Sequence, residues 1–280
     1  MKCAWQAYLN LLPIWMREDV DKLGRQQLLE LRLRLNSQPV LVLSCGTRTL
    51  CRHITQEDIQ FCINMASKYS PWAAQSLAKG YITAAGGHRL GICGTTVVDN
   101  GVMTGIRAPT SLSIRVARDF IGIAEKAASL NGSILIIGKP GGGKTTLLRD
   151  LIRIKGNQYC VAVVDEREEL FPQVNHSIFF TTGLNTDILS GCPKCQGIEA
   201  VLRSMTPDII AVDEITAEED CTALIRAGWC GVKLLATAHA ANRHDLYSRP
   251  VYRSIVECEL FDTLIVLHAD KSWHSERMNV

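Results

Sequence analysis

The second half of the chain alternates short apolar runs with longer stretches in which apolar residues recur every three or four positions. Short continuous runs are typical of strands buried on both faces, and the longer period is typical of helices packed on one face. The runs lie at 133–137, 161–164, 209–212, 234–237 and 263–267, and the helical stretches at 145–154, 197–205 and 217–227. This alternation predicts an α/β fold with a mostly parallel sheet, helices on both faces and ligands at the carboxyl ends of the strands.

The first 120 residues show a different pattern, in which strand-like alternation is interrupted by turn residues. Leucine alternates with arginine over 31–35, and a polar segment at 36–39 precedes the next apolar run, which predicts a hairpin. Asp99-Asn100-Gly101 predicts a second, tighter hairpin turn. We therefore divide the chain into a smaller α+β domain at 1–120 and an α/β domain at 121–280.

Near the N-terminus, Trp5, Tyr8, Leu9 and Leu12 fall on one face of a predicted helix. Two interpretations of this face stay open. The helix packs on its own domain, or its aromatic face rests on a membrane surface or a partner. No segment approaches the roughly 18 uninterrupted apolar residues that a membrane-spanning helix needs, so we expect no transmembrane helix.

Residues 138–145 have the sequence Gly-Lys-Pro-Gly-Gly-Gly-Lys-Thr and lie between a predicted strand and a predicted helix. This is the phosphate-binding pattern G-x-x-x-x-G-K-[ST] in its strand–loop–helix setting. Glycines let backbone N–H groups point at phosphate oxygens, and the helix N-terminus adds unpaired N–H groups. We expect Lys144 to reach the β- and γ-phosphates and Thr145 to coordinate Mg²⁺. The predicted nucleotide contacts are Gly138, Lys139, Pro140, Gly141, Gly142, Gly143, Lys144, Thr145 and Thr146.

Carboxylates and a histidine follow three of the other predicted strands. Because the carboxyl ends of parallel strands meet at one edge of a sheet, we expect these side chains to lie near the phosphates. Asp213 is predicted to hold Mg²⁺ through water, and Glu214 to polarise the attacking water. Glu166, Glu169 and His239 are further catalytic candidates, for which an acidic helix start and a packed histidine are the ordinary alternatives.

Composition excludes some classes of protein. The net charge is +2, with 21% charged residues, and no basic run carries the interleaved aromatics of a nucleic-acid groove, so no nucleic-acid partner is expected. Residues 1–120 hold 14 Lys and Arg against 8 Asp and Glu, whereas 121–280 hold 16 against 20. This split indicates either that the two parts do different jobs or that one copy docks on the next. Eleven irregularly spaced cysteines indicate reduced thiols. Cys192 and Cys195 lack the second ligand pair of a structural zinc site, and none is expected.

In this order the motifs resemble those of the secretion ATPase superfamily, the RecA-like hexameric motors of type II and type IV secretion systems. The matching segments are the phosphate loop at 138–145, an acidic box at 165–169, a second carboxylate motif at 212–214 and a histidine box at 236–240. A closer resemblance is to the stage III sporulation protein AA family of endospore-forming bacteria. It rests on these motifs together with Gly86-Gly-His-Arg-Leu-Gly91, Ser113-Ile-Arg-Val-Ala-Arg118, Gly191-Cys-Pro-Lys194 and Arg203-Ser-Met-Thr-Pro207.

The resemblance implies an ATPase with a RecA-like P-loop core, ATP and Mg²⁺ as ligands, and assembly into a homo-hexameric ring. It also implies a cytoplasmic protein peripheral to the membrane, on the mother-cell side of the outer forespore membrane, working with membrane proteins of a sporulation transenvelope complex. In related motors, arginines of the N-terminal domain reach the nucleotide, and Arg115 and Arg118 are the matching positions. Ordinary surface charge is the open alternative for both.

Two functions of other kinds also stay open. RecA-like cores also drive nucleic-acid-dependent ATPases, and a nucleotide-gated binding module hardly hydrolyses its nucleotide. The carboxylates Glu166, Glu169 and Glu214 argue against a pure switch, which needs fewer of them near the γ-phosphate. A small-molecule kinase is disfavoured because no lid or acceptor motif follows the phosphate loop.

Overall fold

The computed structural model describes residues 1–67, 80–174 and 177–278, and the chain forms two compact units. Unit 1 comprises Met1–Asp119 with Pro172–Phe179, and unit 2 comprises Phe120–Phe171 with Phe180–Val280. The division from sequence differs in that it placed 172–179 in the second domain. Hydrophobic periodicity could not assign this segment, because its strands, β9 and β10, are only two residues long each.

The described elements of unit 1 are mainly strands, whereas helices and strands alternate along unit 2. The helices are α1 (Trp5–Asn10), α2 (Ile14–Gln27), α3 (Gln56–Ser67), α4 (Lys144–Lys155), α5 (Lys194–Ser204), α6 (Glu218–Trp229), α7 (Arg243–Ser248) and α8 (Arg253–Glu257). The strands are β1 (Leu28–Arg34), β2 (Val40–Leu43), β3 (Gly46–Thr49), β4 (Tyr81–Thr83), β5 (Arg89–Asp99), β6 (Val102–Arg115), β7 (Ile134–Ile137), β8 (Val161–Asp165), β9 (Gln173–Val174), β10 (Ser177–Ile178), β11 (Thr186–Ser190), β12 (Ile209–Ile215), β13 (Lys233–Ala238), β14 (Thr263–Leu267) and β15 (Trp273–Arg277).

Unit 1 is built on a six-stranded antiparallel sheet with the order β3-β2-β1-β6-β5-β4. Both predicted hairpins are confirmed, as β1–β2 and β5–β6. The β5–β6 turn holds Asn100 and Gly101 at φ 49° and 79°, which is the left-handed pair that an Asn-Gly turn supplies. Alternate leucines of β1, such as Leu31 and Leu33, are fully buried in the core of this unit.

The apolar face of α1 packs within unit 1. Tyr8, Leu9 and Leu12 are buried in its core, and the Tyr8 hydroxyl donates a hydrogen bond to the Ile114 carbonyl oxygen at 3.1 Å. Of the two open interpretations the first is therefore correct, because this face is covered by the helix's own domain. In the described ranges, no helix is both long enough and apolar enough to cross a membrane.

Unit 2 contains a seven-stranded sheet with the order β11-β8-β12-β13-β7-β14-β15. All five predicted strands are present, and all their pairings with one another are parallel. The sequence did not predict β11 and β15, which form the two edges of the sheet; β15 pairs antiparallel to β14. Edge strands are often polar on their outer side, and the sequence of β15, Trp-His-Ser-Glu-Arg, has no apolar run to signal a strand.

Candidate functional site

The phosphate loop links β7 to α4 in a conformation that depends on glycine. Gly141 and Gly143 have φ of 72° and 104°, a region that L-residues rarely adopt. A Cβ at Gly142 would lie 3.0 Å from the Lys139 carbonyl oxygen. The loop therefore keeps its backbone bare, and α4 begins directly after it at Lys144, presenting first-turn N–H groups. The loop and the first turn of α4 therefore fit the phosphates of a nucleoside triphosphate.

Lys144 uses all three N–H donors of its ammonium group inside unit 2. They point to the carbonyl oxygens of Gly138 at 3.0 Å and Lys139 at 3.2 Å, and to His239 Nδ1 at 3.0 Å. The residue is only 6% exposed. Burial lowers the pKa of this ammonium, and the negative charges of Asp213 and Glu214 oppose the shift.

His239 joins the phosphate-loop lysine to the predicted catalytic carboxylate. Its Nε2 lies 3.0 Å from Glu214 Oε1, while its Nδ1 faces the Lys144 ammonium. Because an ammonium can only donate, Nδ1 is the acceptor, which places the ring proton on Nε2, where it donates to Glu214. Arg167 Nη1 approaches the other oxygen, Glu214 Oε2, at 3.4 Å. Lys144, His239 and Glu214 thus form one continuous polar chain.

A β-bulge in β12 positions Glu214. The β12–β13 register pairs Val212 with Ala236 and then Ile215 with Ala238, so β12 carries one extra residue. Glu214 has φ 50°, a conformation that a non-glycine residue keeps only when its surroundings enforce it. Thr237 enforces it: its hydroxyl donates to Asp213 Oδ1 at 2.6 Å and accepts the Glu214 N–H at 2.7 Å.

The acidic box after β8 is organised by Asp165. This carboxylate, 1% exposed, accepts the N–H groups of Glu169, Leu170 and Phe171 at 2.8–3.0 Å. Burial raises the pKa of Asp165 to about 6, against the opposing effect of the Phe171 and Leu170 N–H groups. Asp165 therefore shapes the loop that carries the predicted catalytic residues Glu166 and Glu169.

Glu166 is held by a lysine that sequence reasoning did not select. Lys194 Nζ lies 2.5 Å from Glu166 Oε2 and 3.9 Å from Asp220 Oδ2, and its side chain is 2% exposed. Lys194 is the first residue of α5, where the helix dipole disfavours a cation, so the two carboxylates supply the compensating charge. The flanking Cys192 and Cys195 are half-buried. Within the described residues, no group of three or more His, Cys, Asp or Glu side chains is arranged to hold a metal ion.

Arg149 is a second residue that the sequence analysis missed. It lies on α4, is buried, and donates to the carbonyl oxygens of Leu170 at 2.6 Å and Glu169 at 2.7 Å. It therefore ties the phosphate-loop helix to the acidic box. No signal in the sequence marks Arg149, because a charged residue after the apolar pair 147–148 is ordinary in an amphipathic helix.

The remaining predicted residues lie at the rim of the site or in unit 1. Thr145 and Thr146 are half-buried on the first turn of α4, and Lys139 and Pro140 are exposed on the loop. The two arginines belong to unit 1. Arg115 is 65% exposed, with Nε 3.7 Å from Glu30 Oε2, whereas Arg118 donates to the backbone carbonyl oxygens of Arg25 and Leu28.

We predict that Asp165→Ala lowers the free energy of unfolding by about 3 kcal/mol, because it leaves buried N–H groups without an acceptor. Urea denaturation followed by circular dichroism measures the change. Asp187→Ala, at an exposed position on the neighbouring strand β11, is the control and should stay within about 0.5 kcal/mol of the wild-type value. An Asp165→Ala protein as stable as this control would contradict the structural role of Asp165.

The parallel sheet, the phosphate loop and the carboxylates beside it define a RecA-like P-loop protein. Solved structures with this fold include the ATPase DotB of Legionella pneumophila, with TM-score 0.59 and 15% identity over 95% of this chain and 80% of that one. The pilus retraction motor PilT, crystallised with ADP, gives TM-score 0.60 and 14% identity over 89% of this chain and 76% of that one. At such low sequence identities, the similarity to these two structures shows a shared fold.

The sequence also matches the family described as Sporulation stage III, protein AA, over residues 7–276. It is 36% identical to Stage III sporulation protein AA of Bacillus subtilis (strain 168), over 94% of this chain and 90% of that protein. The chain therefore belongs to the stage III sporulation protein AA family. The resemblance drawn from the motifs is confirmed.

Proposed function

We propose that this chain hydrolyses ATP and drives a complex at the membrane of sporulating cells. The observation that carries the proposal is the chain of contacts from Lys144 through His239 to Glu214. It joins the group that would bind the terminal phosphate to the group that would activate water. A phosphate-binding loop without Glu214 beside it would bind nucleotide but would have no group to activate water.

In the proposed reaction, water attacks the γ-phosphorus. The bond between the γ-phosphorus and the oxygen that bridges it to the β-phosphate breaks, and this oxygen leaves with ADP. Glu214 orients the water and takes its proton. His239 donates through Nε2 to one oxygen of Glu214 and leaves the other facing Arg167, which fixes the direction of the carboxylate. Lys144 supplies positive charge where negative charge accumulates on the phosphate oxygens. Glu166 and Glu169 remain candidates for supporting roles at the rim.

Thr145 and Asp213 would hold Mg²⁺, Thr145 directly and Asp213 through water. Hydroxyl and carboxylate oxygens are ligands that Mg²⁺ prefers, together with substrate phosphates. Bound there, the ion would neutralise charge on the β- and γ-phosphates. Asp213 keeps one oxygen in a hydrogen bond with the buried Thr237 hydroxyl, so its carboxylate is already oriented for this role.

We also propose that the active form is a homo-hexameric ring that contacts membrane proteins of a sporulation transenvelope complex. Support comes from the family to which the chain belongs and from the opposite charge balance of the two parts of the chain. In such a ring Arg115 is the better placed of the two arginines to contact nucleotide, because Arg118 is engaged by backbone carbonyl groups.

We expect turnover per chain to rise with protein concentration, in step with growth of the mass above the 30.9 kDa of one chain. A site completed by a neighbouring copy requires assembly before catalysis. Phosphate release and light-scattering mass, measured on the same dilution series, provide the test. Single-stranded DNA and RNA, added in parallel, should leave turnover unchanged. A fully active 30.9 kDa species would contradict the ring, and strong stimulation by nucleic acid would favour the nucleic-acid motor.

A further inference from the structure

Unit 2 contains a cavity of about 280 Å³ directly beside the phosphate loop. One wall is the loop itself, at Gly141–Gly143, with Thr146 of α4. The facing wall is apolar and includes Phe120, Leu267 and Trp273. The size and lining are close to those of pockets that take small organic ligands.

The order of the strands fixes which part of a nucleotide would face this cavity. The loop follows β7, which lies between β13 and β14. Lys144 reaches toward the β13 side, where it contacts His239, whereas Leu267 and Trp273 belong to β14 and β15 on the other side. A nucleotide whose terminal phosphate lies at Lys144 therefore extends its other end toward the cavity.

We propose that this cavity binds the nucleobase, mainly through Trp273, and that it distinguishes adenine from guanine only weakly. The proposal rests on the proposed function for the position of the phosphates. Beyond that function, we assign a site for the base, and we infer that the base adds affinity without strict selection between adenine and guanine.

Trp273 is suited to this role because the hairpin holds it in place. It pairs with Leu267 across β14–β15, and the turn is closed by a hydrogen bond from the His268 N–H to the Ser272 carbonyl oxygen at 2.9 Å. Leu267 in turn lies under the loop, 3.8 Å from the Cβ position of Gly143. A half-exposed aromatic ring fixed in this way can stack on a base at little entropic cost.

Weak selection follows from the chemistry of the lining. Strict discrimination needs polar groups, usually several from side chains and backbone together, that match the hydrogen-bonding edge of one base and are left unpaired by the other. Among the described residues that line the cavity, the side chains with polar atoms are Thr146, Lys271 and Trp273, whose indole N–H can only donate, and none is a carboxylate or an amide. Stacking tolerates any base, because every base has a π-face.

The test is the dissociation constant of the full chain, with Mg²⁺, for three probes: a non-hydrolysable ATP analogue, the matching GTP analogue and inorganic tripolyphosphate. We expect the two nucleotides to bind within about tenfold of each other. Trp273→Ala should weaken both by about tenfold and leave tripolyphosphate unchanged. Trp273→Phe should retain most of the affinity. Trp229→Ala, at a side chain that is 76% exposed and outside the cavity, is the matched control.

An ATP preference above about a hundredfold would overturn the weak selection. Unchanged nucleotide binding in Trp273→Ala, or an equal loss for tripolyphosphate, would overturn the base site. If Trp273→Ala does not fold, Phe120→Ala, which changes another residue of the cavity lining, is measured with the same three probes. Wild-type protein that shows the expected binding without phosphate release would refute the proposed hydrolysis alone. A wild type that binds none of the probes would refute both proposals.

Discussion

Lys144→Ala is expected to weaken ATP binding by about a hundredfold or more and to abolish phosphate release. The substitution removes the charge that faces the terminal phosphates, and removal of one partner of a desolvated charge contact costs several kcal/mol. It also removes the Lys144 donor from His239 Nδ1 and from the Gly138 carbonyl oxygen, whereas the Lys139 carbonyl oxygen keeps the Gly142 N–H at 3.1 Å. Titration with a fluorescent ATP analogue measures the binding.

The control for this prediction is Lys139→Ala. Lys139 lies on the same loop, but its side chain is exposed. We expect its substitution to change ATP affinity by no more than about fivefold, as for the loss of an exposed charge contact. Equal losses in the two variants would mean that the loop attracts nucleotide through net charge alone, without a specific place for Lys144.

Glu214→Gln is expected to bind ATP with nearly unchanged affinity and to lower turnover by about a hundredfold or more. Glutamine keeps the shape and can still accept the His239 N–H, but it cannot take a proton from water. Isothermal titration gives the affinity, and phosphate release at saturating ATP gives the rate. Glu218→Gln, at an exposed position at the start of α6, is the matched control. A Glu214→Gln rate above about a tenth of the wild-type rate would assign water activation to another group.

The central strands and the phosphate loop could be predicted because their signals are local. A strand buried on both faces needs an apolar run, and the loop needs glycines where φ is positive, as at Gly141 and Gly143. The apolar runs of the sequence also predict where β8, β12 and β13 end. The sequence alone therefore predicts that Glu166, Glu214 and His239 lie near one sheet edge.

The contacts within the site could not be predicted, because they depend on tertiary register. The residues of β12 do not by themselves reveal the bulge. The φ of 50° at Glu214 depends on the pairing of β12 with β13 and on the hydrogen bond from the Glu214 N–H to the Thr237 hydroxyl. The Lys194–Glu166 pair joins residues from different segments of the chain, and its lysine is buried where charge is rarely found. Thr237, within the histidine box, is fully buried and supports the bulge.

Whether this site hydrolyses ATP is decided by phosphate release from Mg·ATP by the wild-type chain and by Lys144→Ala, assayed in parallel at the same protein concentration. We expect a wild-type rate that saturates with ATP and a rate at least a hundredfold lower in the variant, because hydrolysis depends on the charge of the buried Lys144. Equal rates in the two proteins would contradict the claim that this site hydrolyses ATP.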